Sequence, residues 1–175
     1  MLTLESNGIG GSSTTGGTGK WYGTDATTIH YPGVDTCVTV TCVVKEGLAG
    51  LHLAASCFAA TTAENLATYG ENAKGASAMH VVGNLARGWS ATPEIKNLTK
   101  MVYLPEGGGT LIARLRQATG FQGVVQVIDT SDRGDAVDIT ATLAGETVNF
   151  HVSGSDPTPS LLPPGKFVAG DVILP

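Results

Sequence analysis

The chain has 175 residues, of which 42% are hydrophobic and 14% charged, and its formal net charge is -5. This length and apolar content suit one domain with a buried core, and no Lys/Arg run marks a nucleic-acid surface. No apolar stretch approaches the roughly 20 residues of a membrane span, and Met1-Leu-Thr-Leu-Glu-Ser6 lacks the basic and apolar regions of a secretory signal.

In chain order, residues 7–19 are almost wholly Gly, Ser and Thr, which predicts a flexible leader over 1–25. Gly19-Lys20 resembles the end of a phosphate loop, but Thr14 stands at the first glycine position and Trp21 follows the lysine. A strand is expected over Thr27–Tyr31, ending at a Pro32-Gly33 turn. Cys37–Val44 and Gly50–Ala54 read as strands on either side of the turn signal Lys45-Glu46-Gly47. Thr61-Thr-Ala-Glu64 has the form of a capping box and opens a helix to about Asn72.

A further β run, Ala78–Val82, precedes Gly83-Asn84, and Pro93–Leu104 is ambiguous, with a short helix one reading. Apolar residues at 111, 112, 115 and 118 fit one helical face, with Gly120 as the stop. Three β segments follow, Val124–Ile128, Ala136–Thr140 and Thr147–Val152, joined by hairpin-like loops. The Pro/Ser-rich segment from Ser153 is expected to lie extended, and Phe167–Leu174 to add an edge strand. The domain is therefore set at 26–152, with 153–175 as a C-terminal extension. The expected fold class is α/β, with mostly antiparallel, sandwich-like sheets and two or three helices packed outside.

Parity singles out a chemical pair. Val38, Val40 and Cys42 share one face of their strand, and Cys37, Thr39 and Thr41 the other. Leu51 and Leu53 likewise point inward and leave His52 opposite. If the turn is centred near Glu46, paired residue numbers sum to about 91 or 92, so Thr39 lies opposite His52 and Cys37 is its diagonal neighbour, roughly 7–8 Å away. A thiol beside an imidazole can form a cysteine nucleophile with its base. A buried free cysteine and a structural histidine are the bland alternatives. Cys57 is a rival nucleophile, with His80 or His30 as its base, while Cys42 is expected in the core and His151 at a structural or surface position. Three cysteines without a CxxC disfavour a disulfide scaffold or zinc site, and a metal site from His30, His52 and Cys37 has no ligand spacing behind it.

The cysteine followed 15 residues later by histidine on adjacent strands resembles the superfamily of CheD, the cytotoxic necrotizing factors and Burkholderia lethal factor, which are cysteine-dependent glutamine deamidases. Gly50-Leu-His52-Leu, Ala78-Met-His-Val-Val-Gly-Asn84, the Val125-to-Asp138 stretch with Arg133, and Ala144-Gly-Glu-Thr-Val148 extend the likeness over about 26–152 in consistent order. Val34-Asp35-Thr36 replaces the small residues that usually precede the cysteine. Tyr31 stands where some members carry a threonine that orients the histidine, so the resemblance assigns that role to a backbone carbonyl near Tyr31.

What the resemblance implies is deamidation of a glutamine in a protein substrate, with Cys37 as nucleophile and His52 as base. It implies neither a cofactor nor a metal, and the composition gives no reason to expect nucleic acid or a membrane span as partner. It fits a toxin or effector domain delivered into a host cell, a cytoplasmic chemoreceptor deamidase, or a catalytically silent binding module on the same fold.

Overall fold

The structure, a computed structural model, describes residues 1–6, 21–54, 62–84, 111–123, 125–130, 133, 136–153 and 160–162. Expectations for Cys57, Pro93–Leu104 and Phe167–Leu174 lie outside these residues. In chain order the elements are β1 (Leu2–Thr3), β2 (Tyr22–Asp25), β3 (Thr28–Val34), β4 (Cys37–Val44), β5 (Gly47–Ala54), α1 (Thr62–Asn72), β6 (Ala78–Gly83), α2 (Leu111–Thr119), β7 (Val125–Asp129), β8 (Val137–Ala144), β9 (Thr147–Ser153) and β10 (Ser160–Leu162).

The strands form two five-stranded sheets, one ordered β1-β3-β8-β9-β10 and the other β2-β5-β4-β6-β7. The β1–β3 and β6–β7 pairs are parallel and the others antiparallel. The mostly antiparallel α/β reading therefore holds.

The second sheet is built on the β4–β5 hairpin. Alternating Val and Thr favour the extended chain of β4, and Val44 pairs with Gly47 across a two-residue turn. One face of this sheet, with Val38, Val40, Cys42, Leu51, Leu53, Met79 and Val81, packs on Leu66 and Tyr69 of α1, on Ala73 just after it and on Leu115 of α2. The other face, with Cys37, Val43, Leu48, Val82 and Ile128, packs on Ile29, Tyr31, Ile139, Ala141, Val148 and Phe150 of the first sheet. The layers thus run first sheet, second sheet, helices. Each fully buried Val or Leu in these two interfaces contributes about 1.5–3 kcal/mol.

Several expectations need correction. The leader does not extend over 1–25: Leu2-Thr3 joins the first sheet, Leu4 is fully buried, and Tyr22–Asp25 pairs with β5. The strand expected to end at Pro32-Gly33 runs through to Val34, with a register shift between Tyr31 and Val34. Gly33 adopts φ +62° there and its N–H donates to the Asp138 carboxylate at 2.8 Å, so the glycine makes a bulge instead of a stop. Segments β7 and β8 are not a hairpin, because β7 pairs parallel with β6 in the second sheet and β8 lies in the first. Strand β9 and both helices lie within two residues of their expected bounds, β8 runs four residues past the expected Thr140 to Ala144, and Ser160–Leu162 of the extension pairs with β9.

Candidate active site

The β4–β5 ladder pairs Thr39 with His52 and Cys37 with Ala54. Cys37 and His52 are therefore diagonal neighbours on one face of the second sheet, as the hairpin register predicts. The sequence did not reveal what covers that face. It is the layer between the sheets, where Cys37 is 7% exposed and His52 0%. Thr39 and Thr41, which gave the face its polar look, are buried and bonded: Thr39 donates to the Val82 carbonyl at 3.0 Å, and Thr41 Oγ1 meets the Tyr31 hydroxyl at 2.8 Å.

His52 is held by one bond. Its Nδ1 lies 2.8 Å from the carbonyl oxygen of Leu4. A carbonyl only accepts, so Nδ1 carries the proton, and in the neutral ring Nε2 keeps a lone pair. Nε2 is buried and has no hydrogen-bond partner among the described residues. Burial pulls the imidazole down to about 4, against a smaller upward pull from the Leu4 carbonyl. At neutral pH His52 is an uncharged base with its free nitrogen in the inter-sheet layer.

The Cys37 thiol lies 3.2 Å from the Ser6 hydroxyl. Burial raises its pKa above the ordinary thiol value, and the Asp35 carboxylate adds to the rise. Hydrogen bonds from Ser6, the Asp35 backbone and Thr36 work in the opposite direction. Because His52 Nε2 is unpartnered, no hydrogen bond joins the two side chains in this arrangement. The resting pair is a neutral thiol and a neutral imidazole, not a thiolate–imidazolium.

Tyr31 enters the site differently from expectation. The carbonyl that orients His52 belongs to Leu4, and Tyr31 contributes its ring, edge-on to the imidazole with centroids 5.9 Å apart. The Tyr31 hydroxyl also donates to the Val40 carbonyl at 3.2 Å, tying β3 to β4 across the layer. Leu4 and Ser6, which meet the histidine and the cysteine, both fall in the segment whose composition predicts a leader. The apolar alternation Leu2-Thr3-Leu4 is the signal that marks a short strand there.

Of the other candidates, His80 shares the inter-sheet layer. It pairs with Thr41 in the ladder and stacks edge-on against Phe150 at 5.2 Å, and neither ring nitrogen has a hydrogen-bond partner among the described residues. His30 and His151 lie on the far face of the first sheet, both in register with Thr140, with His30 Nδ1 3.0 Å from the Thr140 hydroxyl. Cys42 is in the helix-side core, where burial pushes its thiol up to about 12 and Tyr69 donates to its sulfur at 3.2 Å. Among the described residues no group of three or more His, Cys, Asp or Glu could hold a metal ion, and no helix is long and apolar enough to cross a membrane.

No protein-family model, curated protein or solved structure matches this chain.

Proposed function

We propose that this chain is a cysteine-dependent hydrolase of glutamine side-chain amides in a protein substrate, with Cys37 as nucleophile and His52 as base. The observation that carries this reading is the fixed tautomer of His52. The Leu4 carbonyl accepts a hydrogen bond from Nδ1–H, which leaves the Nε2 lone pair free on the face shared with Cys37. Rotation of the thiol away from Ser6 about the Cys37 side-chain torsion moves it between staggered wells.

In the reaction the Cys37 sulfur bonds to the carboxamide carbon as its proton passes to Nε2, so the charged pair forms only during attack. The carbonyl electrons move to oxygen, where each well-placed N–H donor is worth about 3–4 kcal/mol. The tetrahedral intermediate collapses, ammonia leaves with the proton from His52, and a thioester remains. His52 then takes a proton from water as that water attacks the thioester. The products are glutamate, ammonia and the restored thiol. A primary amine replacing the water would give a transglutaminase. Such an enzyme suits an effector or toxin domain that works in the cytoplasm of a host cell, or a chemoreceptor deamidase.

A second reading, a silent binding module, is favoured by one observation: the Cys37 sulfur is seated on Ser6 with no bond to His52. The deciding experiment incubates candidate substrate proteins (GTPases, a translation factor, chemoreceptors) with the wild type, Cys37→Ser and His52→Ala, followed by peptide mass spectrometry. A glutamine that gains about one dalton with the wild type alone supports the hydrolase. No gain on any target leaves the binding module.

A further inference from the structure

Two more buried polar side chains end on the strand row of Cys37. Val38 pairs with Gly83 in the antiparallel β4–β6 ladder, and Gly83 with Asp129 in the parallel β6–β7 ladder. The Thr130 N–H donates to the Gly83 carbonyl at 2.9 Å, which carries the second ladder one residue further. Continuing both registers by one step sets Asn84 opposite Cys37 and Thr130 beside Asn84. Neighbouring strands are about 4.8 Å apart, so the row spans roughly 10 Å.

Alternation turns all three to one face. Cys37, Val82 and Ile128 belong to the inter-sheet core, and Asn84 and Thr130 each follow two residues after the last two. Asn84 is 3% exposed and Thr130 1%, yet Asn84 Oδ1 and Thr130 Oγ1 have no hydrogen-bond partner among the described residues. Buried polar atoms are rarely left unpaired in folded proteins, because each one left so is unfavourable. An amide oxygen offers an acceptor and a hydroxyl offers a donor. Together they match a carboxamide, which presents N–H donors and a carbonyl acceptor, and they mismatch a carboxylate, which has no hydrogen to give.

We propose that Asn84 and Thr130 form a carboxamide-binding subsite beside Cys37, in which Asn84 Oδ1 accepts from the substrate NH2 and the Thr130 hydroxyl donates to its carbonyl oxygen. This assignment rests on the hydrolase reading and deepens it: the pair positions the amide and rejects the glutamate product. Both are positioning residues, since the bond-making atoms belong to Cys37 and His52.

The test uses the full chain and reads alkylation of Cys37 by peptide mass spectrometry with two reagents of similar size, iodoacetamide and 2-iodoethanol. Opening of the site affects both reagents, so the ratio of their rates reports amide recognition. Normalised to the same ratio for glutathione, the wild type is expected to favour iodoacetamide by about tenfold, the effect of one to two net hydrogen bonds. Asn84→Leu and Thr130→Val should bring the normalised ratio to one, and Thr130→Ser should keep it high. If Asn84→Leu does not fold, as judged by its thermal transition, the Thr130→Val and Thr130→Ser comparison decides. A wild-type ratio equal to that of glutathione, or one unmoved by Thr130→Val, overturns the subsite. Deamidation separates the two ideas. Loss of the one-dalton shift in Cys37→Ser with an unchanged KM in Thr130→Val keeps the hydrolase and removes the subsite. A ratio sensitive to Thr130→Val, with no glutamine converted on any target, keeps the subsite and removes the hydrolase.

Discussion

His52 of the second sheet is oriented by the carbonyl of Leu4, 2.8 Å from its Nδ1, and Leu4 directly follows β1 of the first sheet. Two residues further on, Ser6 meets the Cys37 thiol. One six-residue segment therefore serves both members of the candidate dyad. It is held in the first sheet by β1 and by the Leu4 N–H, which donates to the His30 carbonyl at 2.8 Å.

Leu4 should matter to stability through its side chain and to function through its backbone. It is fully buried in the inter-sheet core, so Leu4→Ala is expected to cost about 2–5 kcal/mol, read from the urea midpoint. Deleting residues 1–6 should in addition abolish glutamine conversion. Full activity in the truncated chain would sink the role given to the Leu4 carbonyl.

Ser6 lowers the thiol pKa that burial raises. Ser6→Ala is therefore expected to slow iodoacetamide labelling of Cys37 at pH 7.5 by ~2- to 10-fold, the range of one net hydrogen bond. Faster labelling would mean that the hydroxyl acts mainly as a plug.

The pH profiles of labelling and of hydrolysis should part company. Labelling needs the thiolate, so its rate should climb with a midpoint above the usual value of about 8.5. The proposed hydrolysis uses His52 as a neutral base, and with its pKa near 4 that form is complete well below neutrality. Deamidation is expected to stay level from pH ~6 to pH ~8, whereas a preformed thiolate–imidazolium would give a bell that falls on the alkaline side.

Acid should loosen the sandwich. Burial lowers both His52 and His80 from 6.5 to about 4, so between those values the unfolded chain binds more protons than the folded one. Stability is full above pH 6.5 and falls as pH drops through the window to about 4. Each histidine contributes about 3 kcal/mol, a large share of an ordinary domain's total. The thermal midpoint measured from pH 7.5 to pH 4 should drop steeply, and His52→Gln with His80→Gln should flatten the curve. An equally steep fall in the double variant would place the acid sensitivity elsewhere.

Gly83 brings β6 close to the backbone of Cys37. A Cβ at this position would stand 2.5 Å from the Cys37 carbonyl oxygen and 2.9 Å from Val38 Cα. Gly83→Ala is expected to shift the start of β4, lowering stability by about 1–3 kcal/mol and reducing hydrolysis more than global unfolding explains. Kinetics below the thermal transition of the variant would separate the two effects.

The hairpin was legible because its rules are local. The valines on one parity, the turn signal Lys45-Glu46-Gly47 and a sum of about 91 or 92 for paired numbers set Thr39 opposite His52, and the structure has the pair in a register that sums to 91. Helix α2 was equally legible, from its apolar spacing and the glycine that follows it. The leader was misread because the glycine-rich run hid the short Leu2-Thr3 strand, whose parallel partner lies more than twenty residues later. The β7–β8 connection was misread because a short loop between strands looks the same whether they pair or cross between sheets.

For the candidate site, the sequence by itself determined that Cys37 and His52 share a face and that Cys42 does not, since side chains alternate along any strand. Only the tertiary structure decided that this face is buried, because β8 and β9, about a hundred residues later, bring the covering sheet. Burial in turn decided the protonation: two groups that attract one another's charges when solvated are both neutral when water is excluded. It also decided the orienting group, a backbone carbonyl that no side-chain pattern encodes.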